Sequence, residues 1–122
     1  MRRPGNLTAL LAFGAAAQAA GGTASAAGLP PYGQSIRCAG LAEGAARLTD
    51  PASAEGRRLY DAAIFWGLAA SEAARDAKLP ASRFTRDQKD AAKAGRAELE
   101  SGSPGAAAEL KACLDAVPPS GR

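Results

Sequence analysis

From residue 34 to 117 apolar positions recur with a helical period, in four stretches separated by proline and glycine. In the first, Cys38, Leu41, Ala45 and Leu48 step by three and four, which predicts a helix over about 34–48. Gly40 and Gly44 sit inside it, four residues apart. They either weaken the helix or admit a second backbone at close range. Asp50-Pro51 ends this stretch and offers a cap-plus-proline start to the next. The second helix is expected over about 52–78. Leu59, Ala63, Trp66, Ala70, Ala73 and Ala77 form one stripe, and Tyr60, Ile64 and Leu68 a second row at spacing four. Leu79-Pro80 stops it, because a residue before proline avoids the α region. The third helix is expected over about 85–101, with Thr85 and Gln88 in capping-box spacing. Its apolar stripe, Ala91, Ala92, Gly95 and Leu99, is thin, so the helix reads as mostly solvated, and Gly102 suits a left-handed cap. Ser103-Pro104 opens the fourth, about 104–117, with Ala106, Leu110, Cys113 and Val117 on one face. Residues 27–33 read as an extended lead-in and 118–122 as a flexible tail. Short connections make sequence neighbours antiparallel. The expected fold is all-α, a small antiparallel four-helix bundle.

The apolar residues are unevenly shared. Residues 62–70, AAIFWGLAA, carry no polar side chain. A helix apolar on every side is normally buried on every side, so the second helix is expected at the centre of the bundle. The competing expectation is that part of its cluster stays exposed and anchors a protein partner or a second copy. Tyr60, Ile64, Phe65, Trp66 and Leu68 are the candidate interaction surface.

The N-terminus has a different pattern. Arg2-Arg3 precedes thirteen uncharged residues, Leu7 to Ala19, and small residues follow. Charge, short apolar run and small-residue exit read as a cleavable secretory signal over residues 1–26, ending at Ala24-Ser25-Ala26, with Ala17-Gln18-Ala19 as the earlier alternative. The run is short for a membrane span, which needs about 20 apolar residues. Cleavage would leave 96 of the 122 residues. It would also remove two of the 15 basic residues, leaving 13 against 12 acidic ones and a net charge of +1 in place of +3. Acidic and basic residues interleave along the remainder, so no basic stripe is left to follow a phosphate backbone. Nucleic acid is not an expected partner, and no stable membrane insertion is expected once the signal is gone.

Export gives the two cysteines a role. In an oxidising compartment Cys38 and Cys113 read as one disulfide, tying the first helix to the last. Their separation gives neither a C-x-x-C redox motif nor a haem-attachment motif, and the chain has no histidine to complete a zinc site or serve as a general base. No metal or cofactor is expected. The carboxylate pairs Asp87/Asp90 and Glu98/Glu100 lie among lysines and arginines on a solvated helix, and no nucleophile elbow or phosphate loop is present, so catalysis is not expected. After residue 26 the chain holds twelve large aliphatic and five aromatic residues among 24 alanines. So lean a core makes a covalent tie valuable. These features describe a small helical protein of the bacterial envelope, periplasmic or secreted, acting by protein contact or in a structural role. A periplasmic stress chaperone or holdase is the alternative.

Overall fold

The computed structural model describes residues 30–119. The expected signal, residues 1–26, the start of the lead-in and the last three residues of the tail lie outside them. The described chain forms four helices and no strand: α1 Tyr32–Arg47, α2 Ala54–Asp76, α3 Ala81–Glu100 and α4 Pro104–Asp115. Cys38 and Cys113 are joined by a disulfide, with Cα atoms 5.6 Å apart. The all-α bundle with its first and last helices bridged is therefore as the periodicity and cysteine placement led one to expect.

The caps account for the boundaries. Ser53 accepts a hydrogen bond from the Gly56 amide and opens α2 (Asp50 instead holds the preceding turn by accepting from the Ala52 amide). Ser103 accepts from the Ala106 amide and Pro104 occupies the first helical turn of α4. α2 and α3 each end in a Schellman motif. The Leu79 amide reaches the Ala74 carbonyl across Lys78, and the Ser103 amide reaches the Glu98 carbonyl across Gly102, whose φ is 78°. α1 begins two residues earlier than expected and α3 four residues earlier. In both, a proline with extended ψ, Pro31 or Pro80, stands at the cap and the helix starts at the next residue. The Thr85 capping box is consequently not used.

The central helix is α1, which corrects the expectation that α2 would be. Ser35, Cys38, Ala39, Gly40, Leu41, Ala42, Gly44 and Ala45 are all buried, covering most of its circumference. α2 and α3 both lie along α1 and touch each other only sparsely, while α4 meets α1 at Arg37 and Cys38. The reason is size. Small side chains let two backbones approach α1 from different sides, whereas the large residues of α2 hold neighbours off. The closest approach is to α3. A Cβ on Gly44 would lie 2.5 Å from the Arg96 nitrogen, one on Gly95 would lie 2.7 Å from the Gly40 carbonyl oxygen, and one on Gly40 would overlap the Ala91 carbonyl. Tyr32 reaches Asp87, Gly40 meets Ala91 and Gly44 meets Arg96, so α1 and α3 run in the same direction, as alternation in an up-down bundle requires.

Candidate functional site

α2 and α3 share α1 as a support but diverge from one another, and the space between them is a groove of about 910 Å3. One wall is the second row of α2. Tyr60 is 63% exposed, Ile64 47% and Leu68 63%, three of the four large apolar residues exposed in the described chain. Opposite them on α3 stand Phe84 and Gln88, and the end of α1 contributes Glu43, Ala46 and Arg47. Gly67 keeps the α2 side open, since a Cβ there would meet only the Gln88 amide nitrogen, at 3.7 Å.

The five residues of the candidate surface separate into two groups. Tyr60, Ile64 and Leu68 line the groove together. Trp66 does not belong to any surface: it is 2% exposed, in the core with Cys38, Leu41 and Cys113. Its indole N–H donates to the Cys113 carbonyl at 3.0 Å. That carbonyl is one of the last in α4, and the Val117 amide turns to Leu114 instead, so Trp66 closes a helix end that would otherwise be unpaired. Phe65 is half-buried, packs against the same core, and meets Trp66 edge to face with ring centroids 5.1 Å apart. The helical period explains the division. Tyr60, Ile64 and Leu68 advance by only 40° per step around α2, while Trp66 lies 160° from Leu68.

Two polar junctions brace the helices around this groove. At one, Arg37 on α1 donates to both oxygens of Glu98 on α3, at 2.7 and 3.1 Å, and both of Glu109 on α4, at 2.8 and 3.1 Å. These bonds hold both carboxyls below their usual range and raise the guanidinium further. At the other, the Tyr32 hydroxyl donates to Asp87 at 2.9 Å, one residue from Gln88 in the groove wall. Burial and this hydrogen bond push the Tyr32 phenol up to about 12. The same bond, helped by Arg83, holds Asp87 low. Sequence reading missed both junctions. Their partners lie 55 to 72 residues apart, and no local spacing announces them.

Among the described residues no group of three or more Cys, Asp or Glu side chains is placed to hold a metal ion, and no described helix is long and apolar enough to cross a membrane. No protein-family model, curated protein or solved structure matches this chain.

Proposed function

We propose that this chain is an exported helical protein of the bacterial envelope that acts by protein contact, through the groove face of α2. The observation that carries the reading is the row Tyr60, Ile64 and Leu68, left exposed on a fold otherwise short of large apolar residues. A bundle with a lean core gains by burying such side chains, and leaving three in one row costs stability unless something else covers them. The leader-like N-terminus and the disulfide support the envelope location. Catalysis has little to draw on in the groove. Its acids, Glu43 and Asp61, have no histidine to work with, and Glu43 is paired with Arg47 at 3.0 Å.

Site-specific photo-crosslinking in intact cells tests this reading. A photoreactive residue at Ile64 is expected to give a discrete adduct in the envelope fraction, and one at exposed Ala107 on α4 is expected to give none. Equal labelling at the two positions, or recovery of the protein from the cytoplasm with residues 1–26 attached, overturns it. The holdase reading has one observation in its favour. α4 covers Trp66 and is tied down by a reducible bond, so reduction would uncover further apolar surface. Protection of an aggregating client only by the reduced protein would move the assignment there.

A further inference from the structure

We infer that the exposed face of α2 pairs with the same face of a second copy of this chain, the two helices antiparallel about a two-fold axis at Ile64. This rests on the reading of that face as a contact surface and names what covers it.

The argument is self-complementarity. Tyr60 and Leu68 stand four residues either side of Ile64, and all three are exposed. Antiparallel pairing sets Ile64 against its own copy and, on one flank, Tyr60 against Gly67 of the partner subunit. Arg57 precedes Ile64 by seven residues and Glu72 follows it by eight, so across the axis they come within one residue step, about 1.5 Å along the helix. At 100° per residue Arg57 lies about 20° and Glu72 about 80° to the same side of Ile64, and same-side flanks meet in an antiparallel pair. Each dimer would thus close two Arg57–Glu72 ion pairs. Asp61, at about 60° on that flank, falls beside Leu68 of the partner subunit, at the edge of the pair. Parallel pairing would instead leave Arg57 and Glu72 fifteen residues apart, about 22 Å along the helix.

Neither charge is firmly held in the single chain. Arg57 donates to the Ala52 carbonyl at 2.6 Å and Glu72 accepts from Arg75 at 2.9 Å, both on the exposed surface. Exposed pairs of this kind are exchanged at little cost. Three exposed large side chains per copy make a small contact, which fits a weak, reversible dimer.

Sedimentation of the purified, oxidised protein over a wide concentration range tests the pairing. A monomer–dimer equilibrium is expected. Arg57→Glu and Glu72→Arg should each weaken it about tenfold, by placing like charges together. The double exchange should restore it. Leu68→Ser should abolish it, with thermal melts confirming that the variants stay folded. A protein monomeric into the millimolar range, or a dimer indifferent to the charge reversals, overturns the inference. Should the monomer still crosslink through Ile64 to a different protein, the dimer fails while the contact reading stands.

Discussion

α3 and α4 are held to α1 by opposite means. α3 has one buried residue, Gly95, yet it lies against α1 at backbone distance through Gly40 and Gly44. α4 is shorter and makes fewer contacts, but it is tied by a disulfide, a buried indole–carbonyl hydrogen bond and Arg37. The contrast shows two ways for an alanine-rich chain to hold a helix with few large side chains. One removes Cβ atoms so that dispersion acts between close backbones. The other restricts the unfolded chain and adds a few directional bonds.

The largest test removes the covalent tie. Closing a loop of 75 residues is worth about 4 kcal/mol in the chain-entropy model. Cys38→Ala/Cys113→Ala should lose roughly that much in denaturant unfolding. Hydrogen exchange should quicken first over 104–115, while 81–100 stays protected. Equal loss of protection in both helices would erase the distinction drawn between them.

The glycine contact gives the next effect, and its sign is not obvious from propensity. Alanine favours a helix interior over glycine by about 1 kcal/mol. At Gly95, however, the new Cβ meets backbone at 2.7 Å, which cannot swing aside. Overpacking of that kind costs about 1–3 kcal/mol, so Gly95→Ala is expected to destabilise by up to about 2 kcal/mol net. Gly33→Ala, with nothing within 4 Å, is the control and should stabilise. If both variants stabilise, the close approach is not what holds α3.

Much of this fold was legible locally. Gly102 and Ser103-Pro104 mark ends that the structure keeps, although Ser53 caps α2 in place of the expected Asp50-Pro51, and Leu59, Trp66 and Ala70 mark a stripe that is buried. Two features were not legible. The hub position of α1 depends on what its small residues admit from two sides, whereas counting large apolar residues pointed to α2. The site was half readable: Tyr60, Ile64 and Leu68 share a row that periodicity identifies, but α4 reaches Trp66 only after a chain reversal that period alone does not place. Arg37, 61 residues from Glu98 and 72 from Glu109, gave no signal beforehand.

Arg37 is where the two modes of attachment meet, and it carries the smallest expected effect. Its two carboxylate partners are partly solvated, so the pairing is screened. The sign follows from the lowered folded values of Glu98 and Glu109. Such groups add stability above the unfolded carboxyl value, about 4.3, and lose it as pH falls through the lower folded value. Arg37→Gln removes the cause of the lowering. Melts of wild type and variant should therefore differ by a small, constant margin at neutral pH and converge in acid. A margin unchanged at pH values where both carboxyls are protonated would assign Arg37 a packing role, its stem covering α1, in place of a charged one. Because Arg37 touches α3 and α4 together, the variant should raise exchange in both helices to a similar small extent, unlike loss of the disulfide, which should release α4 ahead of α3.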